Sequence, residues 1–238
     1  MFQPHIRVYR SPAVLAQAVA GQIVESAALS IQLTGRFALG LSGGTTPRTL
    51  YELLAADPYA SRIDWANVEI FFGDERCVPP GHPDSNFRVA TEALLDRVPI
   101  PYERIHRLPG EIDPQQAALE YGTMLKNRFG KGGLDLTLLG MGDDGHTASL
   151  FPNSTALQET EHRCVANWVN KLNAWRLTLS APFINRSYEV LVLITGAAKA
   201  PIVKEVLEGD GSEKYPIGLI RPENGRLYWH LDAAAADM

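Results

Sequence analysis

Asp143, Asp144 and His146 crowd into the run LDLTLLGMGDDGHTASLFP (Leu134 to Pro152). Histidine is the side chain that changes charge near neutral pH, and a carboxylate beside it orients the ring and steadies the imidazolium. The pairing therefore suits a general base that takes a proton from water. A turn rich in Gly and Asp, with the histidine merely solvated, would use the same residues. What favours chemistry is the delivery of the loop. Leu134, Leu136, Leu138 and Leu139 read as a strand covered on both faces, and ligands of open α/β sheets gather where such strands end.

A second set of residues suits an anion. Ser42, Gly43, Gly44 and Thr45 follow the apolar run FALGL, with Thr46 expected as the helix cap, Pro47 at the first helical position and Arg48 just inside the helix. The glycines allow close backbone approach and the helix start presents unpaired N–H groups, which together suit a phosphate. An ordinary strand-to-helix turn is the plain alternative. Two motifs overlap these loops. Gly40 to Gly44 satisfies GxSxG, the nucleophile elbow of serine esterases, with Ser42 as nucleophile. Gly140 to Gly145 satisfies GxGxxG, but two aspartates between the glycines would repel a pyrophosphate.

The elements that must position these loops are legible as an alternation. Phe37 to Leu41, Val68 to Gly73, Leu134 to Leu139 and Val190 to Ile194 read as strands. They run into four polar loops: Ser42 to Thr46, Asp74 to Arg76, the Asp144 loop, and Thr195 with Lys199. Helical spacing occurs over Val14 to Leu33, Thr49 to Ala56, Phe87 to Leu95, Pro114 to Phe129 and Ala198 to Leu207. The expected fold is α/β, a mostly parallel sheet with helices on both faces. At 238 residues and 45% hydrophobic content the chain fits one domain over residues 1–238. Its net charge of -5 and lack of a basic run argue against nucleic acid as a partner. No apolar run is read as approaching the roughly 20 residues of a membrane span. Two cysteines, Cys77 and Cys164, form no metal or disulfide pattern, so a reducing, cytoplasmic setting and no metal are expected.

Three segments together carry a resemblance: LSGGTTPRTLYELLA (Leu41 to Ala55), FFGDERCVPPGHPDSNFRVATEALL (Phe71 to Leu95) and LLGMGDDGHTASLFP (Leu138 to Pro152). In order and spacing the chain resembles the 6-phosphogluconolactonase family, relatives of the hexosamine-6-phosphate deaminases. WRLTLSAPFINRS (Trp175 to Ser187) and ITGAAKA (Ile194 to Ala200) extend the likeness. The resemblance implies a three-layer α/β core related to the deaminase fold and no cofactor. It also implies hydrolysis of 6-phospho-D-glucono-1,5-lactone, a phosphosugar lactone, in the pentose phosphate pathway. It further implies His146 as base with Asp144 beside it, and Arg76 and Arg176 in the substrate pocket with Ser42 and Asp74. Lys199 is implied as a point charge on the phosphate, alongside Gly43, Gly44, Thr45 and Arg48. Deaminases follow their histidine with an Ile-Ala-Phe-Asn-Glu-Pro-like run whose Glu helps open the sugar ring. This chain reads Thr147 to Pro152 without an acid. It also lacks the Pro-rich approach of many lactonases, having Asn170, Lys171, Leu172, Asn173 and Ala174 before the Arg176 strand.

A δ-lactone is already prone to hydrolysis, so a positioned water, a base and oxyanion donors suffice. A serine esterase using Ser42 and a non-catalytic sugar-phosphate sensor remain the other readings. A sensor has no need of the Asp144 and His146 pair. His82, in the stretch Cys77 to Asn86, is the one other histidine with a place near substrate.

Overall fold

A computed structural model describes residues 4–208 and 214–238. In chain order its main elements are β1 (His5–Tyr9), α1 (Pro12–Thr34), β2 (Phe37–Leu41), α2 (Thr45–Leu54), β3 (Val68–Phe72), β4 (Asp74–Arg76), α3 (Asn86–Ala93) and β5 (Ile105–His106). They continue as α4 (Pro114–Phe129), β6 (Leu136–Gly140), β7 (Cys164–Val169), β8 (Ala174–Leu179), α5 (Ala181–Ile184), β9 (Glu189–Ile194), α6 (Ala200–Glu208) and β10 (Arg226–Asp232). Local chemistry sets the long helices. Ser11 and Asp113 accept from the amides of Val14 and Gln116, each with a proline at the first helical position, and Gly35 ends α1 in the left-handed region.

Seven strands form one sheet in the order β1-β10-β9-β6-β2-β3-β5, every adjacent pair parallel. Every residue of β2, β3 and β9 is buried, as strands covered on both faces must be. The chain steps outward from β2 through β3 to β5, then returns to lay β6 on the other side of β2 and continues to β9 and β10. Such a reversal leaves a crevice between the carboxyl ends of two neighbouring strands. Here those neighbours are β2 and β6, the strands that carry Ser42 to Thr45 and the Asp144 loop.

Two expectations are corrected. Asp74, Glu75 and Arg76 are not a loop but the strand β4, which joins β8 and β7 in a separate antiparallel sheet of three. And α1, 23 residues long, is by length and composition apolar enough to cross a membrane. In the fold its buried residues Leu15, Val19, Ile23 and Ala27 recur at helical spacing and join the core, which is the pattern of a helix covering a sheet.

Candidate active site

A cleft of about 440 Å³ opens over the carboxyl ends of β2 and β6, walled on its far side by the small sheet and by the turn between β7 and β8. Ser42, Gly43, Gly44, Asp74, Arg76, His146 and Arg176 all line it.

The β2 loop is held by Tyr51, whose hydroxyl donates to the Ser42 carbonyl at 2.6 Å and accepts from the Ser42 amide at 2.9 Å. Gly43 lies against Asn86 so closely that a Cβ would run into its side-chain oxygen. The helix begins two residues earlier than the sequence suggests. Gly44 is the cap, Thr45 the first helical residue, and Pro47 sits in the third position, while the Thr46 hydroxyl pairs with that of Thr195 at 2.9 Å. Ser42 Oγ hydrogen-bonds the Gly43 carbonyl at 3.4 Å, and Ser42 is not among the non-glycine residues with positive φ. A strained elbow with an activated nucleophile has neither feature.

The β6 loop carries the titratable pair. Asp144 Oδ1 lies 2.6 Å from His146 Nδ1 and 3.3 Å from its amide, and Lys171 Nζ donates to Oδ2 at 2.9 Å. Burial works to raise the Asp144 carboxyl pKa, but the hydrogen bonds from Lys171 and His146 outweigh it and hold the group down at about 2. An ionised carboxylate only accepts, so Nδ1 is the ring's N–H and Nε2 carries the lone pair. The imidazole stacks on Phe151 at 4.1 Å and rests on Gly142, where a Cβ would strike the ring. No helix follows this loop: residues 141–150 are turns with a Thr147–Leu150 bridge, so the GxGxxG match lacks the helix a dinucleotide fingerprint requires.

The second sheet supplies the cations. Arg76 on β4 faces Arg176 on β8 in direct register. Burial first, and the facing Arg76 charge second, push the Arg176 pKa below its usual value. The carboxylate at hand, Asp74, is occupied: its oxygens accept from Asn86 Nδ2 at 3.2 Å and Ser149 Oγ at 2.7 Å. Buried Glu75 ties β4 to the start of α3, accepting from the amides of Arg76, Asn86 and Phe87 and from the Ser85 hydroxyl. Arg76 also donates to the Asp84 carbonyl, which draws the 77–85 segment onto the site.

Four sequence-chosen residues do not line the cleft: Asp144, which touches its wall through His146 and Lys171, and Arg48, Lys199 and Thr45. Arg48 lies on the outer side of α2 with its Nε on Glu52 at 3.2 Å, because an acid four residues on is nearer than any ligand. Lys199 is drawn to Asp143, and Thr45 is exposed and not part of the cleft wall. His82 is 3.7 Å from Asp84 and also outside the lining. Lys171, Asn86, Ser149 and Phe151 do line it and were not singled out. Burial pushes the Cys77 thiol up to about 11, which removes it as a thiolate nucleophile. Among the described residues no group of three or more His, Cys, Asp or Glu is placed to hold a metal ion. A larger groove, about 970 Å³, lies at the β5 edge around Glu69 and Arg128, near the amino end of β3 and away from the crevice.

With that geometry in hand, residues 10–229 match the family model described as glucosamine-6-phosphate isomerases/6-phosphogluconolactonase. The chain belongs to this family. Within it, the chain is 42% identical over 213 residues to a 6-phosphogluconolactonase of Nostoc sp., covering 87% of this chain and 86% of that protein. The solved 6-phosphogluconolactonase of Trypanosoma brucei superposes with a TM-score of 0.88 at 30% identity, over 100% of this chain and 99% of that one. A monomeric glucosamine-6-phosphate deaminase shares the fold at a TM-score of 0.85 and 21% identity, over 98% and 99% of the two chains. The relation to the deaminase fold is therefore one of architecture.

Proposed function

We propose that this chain hydrolyses 6-phospho-D-glucono-1,5-lactone to 6-phospho-D-gluconate, the lactone-opening step of the oxidative pentose phosphate pathway, as one α/β unit over residues 1–238. The observation that carries the reading is the triple Asp144, His146 and Phe151. Nδ1 is committed to a carboxylate, Nε2 is left as a base, and an aromatic ring stands behind the imidazole. Counting on from the histidine, Phe151 occupies the place where the deaminase run carries its ring-opening acid. The arrangement suits water attack on an ester, and the position five residues after the histidine carries a phenyl ring in place of a carboxyl.

In this mechanism His146 Nε2 takes a proton from a water as its oxygen bonds to the lactone carbonyl carbon. The resulting tetrahedral oxyanion collapses, the bond from carbon to ring oxygen breaks, and the imidazolium returns the proton to the departing ring oxygen. Asp144 stays ionised throughout and balances the imidazolium. Backbone N–H groups of Gly43 and Gly44 and the guanidiniums of Arg76 and Arg176 bind the phosphate and the developing charge. The two free cysteines agree with a cytoplasmic setting.

The deciding experiment follows acid release from freshly generated 6-phosphogluconolactone above the spontaneous rate, with glucosamine 6-phosphate in a parallel ammonia assay. Acceleration of the first and silence in the second is the expected result. Ammonia release at a matching rate, or no acceleration of lactone opening, would overturn the reading.

A further inference from the structure

The Asp144 carboxylate has two oxygens and two cationic clients. Oδ1 serves His146, and Oδ2 serves Lys171, which stands 27 positions further along the chain. Lys171 reaches it from the turn Asn170–Leu172, where Asn173 adopts a left-handed conformation (φ 46°) that reverses the chain from β7 into β8. The side chain lines the cleft yet is 66% exposed, so packing does not explain its placement. Two further ammoniums near this loop are engaged elsewhere, Lys199 by Asp143 and Lys214, which shares a neighbouring pocket with Asp144, by Glu205. Around the imidazole and its loop the charged groups among the described residues are therefore Asp144 with Lys171, Asp143 with Lys199, Lys214 with Glu205, and Asp74, Arg76 and Arg176 from the second sheet. Tyr215 packs behind at Gly145. Of these, Asp144 is the one in hydrogen-bond contact with the ring.

We propose that Lys171 is a positioning residue: from the β7–β8 turn it holds the outer oxygen of Asp144 and thereby sets how strongly that carboxylate favours the imidazolium of His146. A carboxylate shared by two cations gives each less than it would give one. With Lys171 in place the imidazolium competes for the charge, and His146 loses its proton at lower pH and is ready as a base. Without it the whole charge of Asp144 falls to the ring, and protonation extends to higher pH. The pair is exposed, so the coupling is modest and weakens with salt.

The kinetic part of this inference rests on the lactonase reading; the titration does not. Lys171→Met removes the charge at similar length, and Lys171→Arg retains it. The His146 ring proton resonance, titrated at low salt, should move its midpoint upward by about 0.3 to 0.7 pH unit in Lys171→Met and by little in Lys171→Arg. The acidic limb of kcat/KM for lactone hydrolysis should move with it. A residue that merely supports the fold would lower activity at all pH values and leave the limb in place. In an Asp144→Asn background the Lys171→Met shift should shrink. An equal shift there would mean that Lys171 acts on the ring across space and would overturn the relay. An unmoved midpoint in a folded, active Lys171→Met protein would overturn the coupling alone. A moved midpoint in a protein inert toward the lactone would instead sink the functional reading and leave the coupling standing.

Discussion

Arginines gather in two regions of this molecule and are treated in opposite ways. Near the amino end of β3, Glu69 is 2% exposed and meets Arg128 at 2.9 Å, Arg104 at 3.5 Å and Arg36 at 3.8 Å. Near the carboxyl end of the sheet, Arg76 and Arg176 face one another and the carboxylate beside them is spoken for by Asn86 and Ser149. Like charges opposite one another in an antiparallel pair destabilise it. A chain that surrounds one buried carboxylate with three guanidiniums at one end, and commits the carboxylate beside two guanidiniums at the other to neutral donors, leaves on the proposed reading a place for an anion that arrives from outside. The first cluster pairs its charges within the fold; the second is the proposed place for the substrate's phosphate.

The largest effect that could break this contrast concerns the base that the second cluster serves. His146→Ala should lower turnover by roughly 10²- to 10⁴-fold, the usual span for a general base. Ser42→Ala should stay within about tenfold, since the loop amides remain. A dead Ser42→Ala protein of normal fold, with an acyl group trapped on Ser42 by mass spectrometry, would replace the water mechanism by a covalent one.

Next come the clusters themselves. Glu69→Ala leaves three guanidiniums around a lost carboxylate and should cost roughly 3 kcal/mol of unfolding free energy, the low end for breaking a buried pair because the arginines reach solvent. Its KM should stay at the parent value. A melt unchanged by Glu69→Ala would remove the structural half of the comparison. Arg76→Ala or Arg176→Ala should do the reverse. Each gives up a charge-assisted contact of about 1.5 to 3 kcal/mol and raises KM for the phosphorylated lactone roughly 10- to 100-fold. Stability should be unchanged or improved. Unphosphorylated gluconolactone should lose little more in either variant, and Arg48→Ala should leave KM within about twofold because its partner is an exposed Glu52. Equal losses on both lactones would show that these arginines do not read the phosphate. The smallest expected effect is none: if arginines alone meet the anion, EDTA leaves activity intact. Loss restored by a divalent ion would say that a metal shares their task.

Much of this architecture could be read from residue order. The four strands that end in polar or Gly-rich stretches lie within a residue or two of their expected limits, because apolar runs bounded by Gly and Asp leave few other readings. The second sheet was not legible. β4 is polar because Asp74 and Arg76 line a cleft and Glu75 holds the amides at the start of α3, and β7 and β8 mix partly exposed and buried positions without alternation. The edge strand β1 and its neighbour β10 carry charges at positions that only long-range pairing makes strand-like. Within the site, Asp144 and His146 were visible because their contact is local, whereas Lys171 meets Asp144 only after the chain has folded back. Arg48 misled for an instructive reason. A cation at a helix start resembles an anion ligand, but Glu52, one turn later, was there in the sequence to claim it.

If the face-to-face arginines hold the phosphosugar as proposed, they also bind the protein's folding equilibrium to its metabolism. An anion seated between them replaces repulsion with attraction in the native state and has no counterpart in the unfolded chain, so occupancy is converted into resistance to unfolding by mass action. At a hundred times its dissociation constant a ligand adds about 2.7 kcal/mol. A thermal melt with added 6-phosphogluconate then serves as a binding isotherm, and in Arg176→Ala the gain should shrink with the affinity. The population of open, degradable molecules would fall whenever phosphosugar accumulates, which makes this enzyme most durable when it is most needed.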